Sequence, residues 1–413
     1  MYASNSTEPA VKANTTRLPS LTGLRFFAAL CVFLLHSLML ADPLKVTVPM
    51  SFFADSRIAE PLNTFVGKAG YIGVSFFFVL SGFVLTWSTR PGASSGAFLR
   101  RRLVKIFPNH LVMWVLAMAL FAGAFTPVST WLPNLFLTHA YFPQADRFTS
   151  VNPPSWTLCC ELLFYVLFPL LIRPVRKAAE NRLWLWAAAS VAGMVAVELV
   201  TKYVIPDSPR STMLPIAVPQ QWFGYIFPPM RLFEFVLGMF LARIVAAGRW
   251  PRVIGLAPAT LLALAGYVWT IYVPSPYDFT LSMVIPISVL ICAAATADVD
   301  GRRTVLSSRP MVWLGNISFG FYICQGVLLF HGRLWLVGDG TYSTPVAFAL
   351  WIGFLALTLL FGAALYHGVE EPMMRRFSRS RKDRRSVLAD GRPVPADRRE
   401  NPAPEPAEQI SAR

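Results

Sequence analysis

"LTGLRFFAALCVFLLHS", residues 21–37, is apolar enough for a membrane anchor, yet it carries Arg25 near its start and His36 deep inside. It is not an isolated run. Stretches of about twenty apolar residues, the length that crosses a hydrocarbon core, recur near 21–41, 69–87, 103–125, 156–173, 183–204, 224–246, 253–273, 280–297, 311–331 and 345–367. Of the 413 residues, 55% are hydrophobic and 14% are charged, a balance foreign to an ordinary soluble domain. The expected fold class is all-α: a polytopic membrane protein, a bundle of about ten transmembrane helices.

The formal net charge of +15 would suggest a nucleic-acid partner in a soluble protein. Here it reads as topology, and no nucleic acid is expected. Arg90, Arg100, Arg101, Arg102 and Lys105 fall in one connector, Arg173, Arg176, Lys177 and Arg182 in a second. Arg243, Arg249 and Arg252 fall in a third, and Arg302, Arg303 and Arg309 in a fourth. The alternate connectors are poor in positive charge. By the positive-inside rule the basic loops are cytoplasmic, and an even number of spans puts both termini there. The first run leads into further spans and lacks a cleavage site, so it is not a signal peptide. Residues 1–16 read as a disordered cytoplasmic N-terminus, 17–375 as the transmembrane domain, and 376–413 as a basic, then Pro/Ala-rich, disordered cytoplasmic tail. The five cysteines and five histidines show no disulfide or metal-ligand spacing. No metal and no permanently bound cofactor is expected, so any chemistry comes from the bundle.

Arg25 and His36 are eleven residues apart, about three helical turns and about 16 Å of rise, which puts them on one face. Snorkelling to the headgroups would account for Arg25 alone. A buried packing role would account for His36, but ionisable groups inside a membrane mark function, and neutral imidazole suits a general base near pH 7. In "PSWTLCCELLFYVLFP", residues 154–169, Trp156, Glu161 and Tyr165 are the polar and aromatic groups of the fourth span. In "MRLFEFVLGMF", residues 230–240, Arg231 and Glu234 share a helix face at i,i+3, as a self-neutralising pair or as substrate contacts. In "LGNISFGFYICQ", residues 314–325, Ser318, Tyr322 and Gln325 offer hydrogen bonds either to neighbouring helices or to a pocket.

These strings resemble the integral-membrane acyltransferase 3 family, whose members O-acylate envelope polysaccharides, nodulation factors and macrolides. "RLPSLTGLRFFAALCVFLLHS" looks like its first-helix signature and "GVSFFFVLSGFVLTW" like its second helix. "FLRRRLVKIFP" is similar to its basic loop, "SWTLCCELLFYVLFP" to its Trp and Glu segment, and "YHGVEEPMMRR" to its closing Glu-x-Pro. Lys105 stands where the family usually has a third spaced arginine, and Gln325 where it often has a histidine. The chain looks like a standalone form without an appended SGNH esterase domain.

The resemblance implies a multi-pass protein of the bacterial cell membrane that moves an acyl group from cytoplasmic acyl-CoA, a co-substrate, to a hydroxylated small molecule or lipid-linked glycoside. Carried onto this chain, His36 is the expected base and Glu161 its orienter. Arg25, Arg100, Arg101, Arg102 and Lys105 would hold the donor's phosphates. Trp156, Tyr165, Arg231, Glu234, Ser318 and Tyr322 are the candidate substrate-binding residues. The competing class is a proton-coupled transporter, which would also use a midplane histidine and buried carboxylates. Turnover of an acyl-CoA separates the two.

Overall fold

The computed structural model describes residues 17–40, 49–90, 92–211 and 214–378. The polar stretch 1–16 and residues 379–413 of the expected tail lie outside the described residues. Pro19 opens α1 (Pro19–Leu38) at a position where a missing N–H is no loss. The Asp55 carboxylate accepts from the Arg57 N–H at 2.9 Å and caps α2 (Ser56–Val66), which turns directly into α3 (Ala69–Ser88). Ser94 caps α4 (Ser95–Ala117). Two short helices, α5 (Val128–Leu135) and α6 (Ala145–Phe148), precede α7 (Trp156–Lys177) and α8 (Leu183–Tyr203). Then come α9 (Val218–Gln221), α10 (Leu232–Ala246), α11 (Leu256–Tyr272), α12 (Leu281–Val299) and α13 (Arg309–Gln325). The last are α14 (Arg333–Val337), α15 (Thr344–Leu365) and α16 (Glu371–Phe377). Among the described residues, extended pairing is confined to isolated bridges of Phe53 with Tyr342 and Arg210 with Ala217.

The chain is an all-α polytopic membrane bundle. Each of the ten expected spans contains a helix, and eight, built on α1, α3, α4, α7, α8, α12, α13 and α15, are long and apolar enough to cross a membrane. α10 and α11 are shorter, at 15 and 17 residues. α10 starts late because Pro228 and Pro229 cannot donate to a regular backbone ladder. A π turn at Trp222–Ile226 and a 3₁₀ turn at Pro228–Arg231 occupy the approach instead. Irregular backbone of this kind is tolerated at membrane depth only where protein surrounds it, and Tyr225, Ile226, Pro228 and Arg231 are all buried.

The basic connectors meet at one end of the bundle. Arg176, closing α7, donates to the Thr89 carbonyl beyond α3 at 2.6 Å. Arg243, in the last turn of α10, donates to the Val175 and Arg176 carbonyls at 2.7 and 2.8 Å, so a cation satisfies the orphan acceptors at the C-terminus of α7. Ser20 at the start of α1 bonds Asp298 at the end of α12 through both its backbone N–H and its hydroxyl. Apolar side chains on α8, α11 and α15 remain exposed, as lipid-facing positions require, among them Leu185, Leu261 and Leu360.

α3 runs through the middle. It crosses α10 so closely that a Cβ on Gly82 would lie 1.9 Å from the Phe235 carbonyl oxygen, and one on Gly238 would lie 1.9 Å from the Val79 oxygen. Lipid tails are as apolar as leucine, so helices in a bilayer gain from such close backbone packing rather than from burial alone. The consequence is a rigid α3–α10 pair against which α1, α7 and α13 are arranged.

Candidate active site

α1 is unbroken between Arg25 and His36, so the two stay about 16 Å apart along its axis. Arg25 opens onto a cleft walled by Val74, Phe77 and Phe78 of α3, Thr157, Leu158 and Glu161 of α7, and Phe319 and Tyr322 of α13. Four helices thus contribute, and among the described residues the charged groups lining it are Arg25 and Glu161. Neither is in an ion pair with a described residue. Glu161 Oε2 instead accepts from Tyr165 OH at 2.5 Å, an i,i+4 contact on α7. Beside it the Arg102 guanidinium lies over the rings of Phe98 and Tyr165, 5.5 and 6.0 Å from their centroids. Arg102 is also within electrostatic reach of Arg25, Arg101 and Glu161.

Tyr322 of α13 also lines the cleft. Its hydroxyl shares a 2.9 Å hydrogen bond with Thr157, and both hydroxyls reach the Pro154 carbonyl at 3.0 Å. One helical turn further along α13, Gln325 Oε1 lies 3.0 Å from Nδ1 of His36. The His36 ring also meets Phe330 edge-on, 5.1 Å between centroids. His36 does not line the cleft, and Glu161 does not touch it: the imidazole partner is Gln325. A helical wheel puts Arg25 and His36 on one face, but the partners belong to other helices, and the wheel is silent about those.

The other expected contacts divide. Arg100 gives only a long bond, 3.4 Å, to the Ser378 carbonyl, while Lys105 is already paired, its Nζ 2.8 Å from Glu370 Oε1. Asn109 holds the second oxygen of Glu370 at 3.2 Å. Lys105 therefore joins α4 to the π turn Tyr366–Glu370 and is not a free cation beside the cleft. Arg231 and Glu234 are closed on each other, 2.9 Å apart and almost wholly buried. Thr280 and Ser75 accept further guanidinium bonds, and the guanidinium lies over the rings of Phe78 and Tyr225, 5.3 and 4.9 Å from their centroids. Ser318 donates to Gly315 of its own helix at 2.7 Å and also misses the cleft. Trp156 packs on Phe78 and Tyr225, one layer behind the wall.

One cluster was not foreseen. In the connector between α4 and α7, His139 Nε2 lies 3.2 Å from Ser155 Oγ, and its Nδ1 is 3.5 Å from Cys159 Sγ. Asn134 donates to Ser155 and to the Ser150 carbonyl. Burial pulls the His139 pKa down to about 3, so the ring is neutral. The cluster holds the turn into α7, where Val151 has φ +58, a strained value for a β-branched residue. His331 reaches the Val151 carbonyl at 3.0 Å, and Asn152 the Ile323 carbonyl at 3.1 Å. No periodic pattern marks this cluster, because most of it lies in the connector between α4 and α7, while Cys159 and His331 reach it from neighbouring spans.

A family model described as an acyltransferase domain matches residues 18–367. The acyltransferase MdmB of Streptomyces mycarofaciens is 38% identical over 376 residues, which is 88% of this chain and 94% of that protein. Nodulation protein 10 of Rhizobium leguminosarum bv. viciae is 25% identical over 85% of this chain and 92% of its own length. The peptidoglycan O-acetyltransferase OatA of Listeria monocytogenes is 23% identical over 82% of this chain, and the match spans 57% of that longer protein. No solved structure matches the chain.

Proposed function

The chain belongs to the acyltransferase 3 family, and from that premise we propose that it transfers an acyl group from cytoplasmic acyl-CoA to a hydroxyl of a glycoside, sugar or macrolide-type acceptor at a bacterial cell membrane. The observation that carries this is the cleft beside the basic end, where Arg25 faces apolar walls with no acidic partner of its own. A cation left unpaired at membrane depth is costly unless a ligand completes it. Arg25, Arg101 and Arg102 suit the phosphates of CoA. Lys105 is left out of this set because Glu370 already neutralises it. The positive-inside rule makes the basic end cytoplasmic, which puts both termini and the donor on one side.

Phe77, Phe78 and Phe319 offer the apolar slot a pantetheine arm needs, and Tyr322 stands one turn of α13 from Gln325. An extended arm reaching about 16 Å from Arg25 would bring its thioester to His36. There the acceptor oxygen attacks the thioester carbon, His36 takes the hydroxyl proton, the C–S bond breaks, and the departing thiolate receives that proton. Glu161, bonded to Tyr165, acts at the donor end in this scheme and not on the imidazole.

The test is turnover of labelled acetyl-, propionyl- and isovaleryl-CoA by purified protein against a panel of hydroxylated acceptors. His36→Gln keeps a hydrogen-bonding side chain without a base, and transfer should fall by about 10²–10⁴-fold in protein that elutes as the parent does. Retained turnover at saturating substrate would remove His36 from the chemistry. Consumption of no acyl-CoA across the panel would remove the donor.

A further inference from the structure

A neutral imidazole has a lone pair on only one of its two nitrogens, and the partner of the other nitrogen decides which. Gln325 Oε1 lies 3.0 Å from His36 Nδ1, and the amide's Nε2 lies 3.4 Å from the Ala29 carbonyl oxygen. A carbonyl oxygen only accepts, so the amide nitrogen must face Ala29 and the amide oxygen must face the ring. An amide oxygen also only accepts, so Nδ1 must carry the proton.

We infer that Gln325 is a positioning residue that holds His36 as the Nδ1–H tautomer and leaves Nε2 free to take the acceptor's proton. This rests on His36 being the base of the proposed transfer. The surroundings hold the amide in place. Gln325 is fully buried at the last residue of α13, where the helix passes into a π turn over Gly326–Gly332. A Cβ on Gly326 would fall 1.7 Å from Asn152 Oδ1, so the chain approaches the turn before α7 as closely as glycine permits. Asn152 in turn donates to Ile323, two residues before Gln325. Phe330, edge-on to the imidazole at 67°, limits rotation of the ring. A neutral amide supplies orientation without adding a second buried charge, which a carboxylate here would do.

Two variants separate positioning from packing. Gln325→Leu keeps volume and removes a buried polar group; Gln325→Glu keeps an acceptor toward Nδ1–H and adds charge. Positioning predicts that kcat of the Leu variant falls about 10²-fold with donor KM little changed, and that the Glu variant recovers at least about tenfold of this. A packing role predicts the reverse order, Leu above Glu, and that order would overturn the inference.

The independent readout is the ¹⁵N spectrum of histidine-labelled protein in nanodiscs, with the His36 signals identified by their loss in His36→Gln. Nδ1 should be protonated and Nε2 bare in the parent, with a mixture of tautomers in Gln325→Leu. An Nε2–H tautomer in the parent sinks the inference whatever the activities are. A parent that transfers no acyl group would sink the proposed function instead, and the spectrum would still decide the tautomer.

Discussion

Two arginines with nearby glutamates sit in this bundle, and one aromatic residue, Phe78, is common to their surroundings. The Arg231 guanidinium lies over the Phe78 ring, and the same residue walls the Arg25 cleft. Arg231 is engaged within the protein: Glu234, Thr280 and Ser75 accept from it, and its guanidinium lies over the rings of Phe78 and Tyr225. Arg25 shares its cleft with Glu161 yet makes no ion pair with it, and Glu161 accepts from Tyr165 instead. Both arginines look alike as intramembrane cations. What separates them is completion. A charge paired and hydrogen-bonded within the protein has little capacity left for a ligand, whereas an unpaired one facing a cleft is the one that, in the function proposed above, would meet the donor's phosphates.

The largest expected effect comes from opening the closed pair. Arg231→Met leaves Glu234 buried with no cation, and breaking such a pair costs about 3–5 kcal/mol. Most of the protein should then fail to run as a monodisperse peak in detergent, or should unfold well below the parent on heating. Arg231→Met/Glu234→Leu removes both charges and should recover most of that loss, since replacing a whole buried pair with apolar groups is often neutral. If Arg231→Met folds normally and loses only activity, the pair belongs with the cleft and the contrast collapses.

The open arginine should behave in the opposite way. Arg25→Gln breaks no ion pair, so the thermal midpoint should stay within about 2 °C of the parent. Its kcat/KM for acyl-CoA should fall about 10- to 100-fold, the worth of about 1.4–2.8 kcal/mol, consistent with one lost charge-assisted contact. Most of that should appear in the donor KM, because phosphates are held equally before and during the transfer. A stability loss near that of Arg231→Met would show that Arg25 is structural.

Much of this arrangement can be read from the chain, and the boundary of what can be read is physical. The spans are legible because apolar length is a local property, and Arg231 with Glu234 is legible because i,i+3 spacing alone brings them together. Arg25, Glu161 and Tyr322 are legible as polar residues in apolar runs, though not as walls of one cleft. Partners hundreds of residues apart are not legible: His36 and Gln325 are separated by 289 positions, Lys105 and Glu370 by 265. π turns add to the difficulty. Gly326–Gly332 and Tyr366–Glu370 rotate the side chains within them, so wheels drawn at 100° per residue misplace His331 and Glu370. Two prolines shortened α10 for a related reason, since a hydropathy window does not see missing donors.

Lys105 and Glu370 form an intermediate case between the two arginines, and the smallest effect on activity is expected there. The carboxylate is 3% exposed and the lysine 25%, so one partner is closed in and the other touches the edge of the bundle. Lys105→Met leaves Glu370 with Asn109 as its remaining donor and without its cation, and the loss should be about 1–3 kcal/mol, below that of Arg231→Met because the lysine end of the pair is partly exposed. Lys105→Arg should be nearly silent, because a guanidinium can span the same gap to the carboxylate. The donor KM should be unchanged in both variants, at low and at high salt, because the lysine's charge is already spent on Glu370 and leaves little field for a phosphate to feel. Thermal midpoint and donor KM measured together on Lys105→Met decide the matter. A donor KM that rises several-fold, falls into line with the parent as salt is added, and comes with an unmoved midpoint would place Lys105 with Arg25 as a donor contact rather than with Arg231 as a tie within the fold.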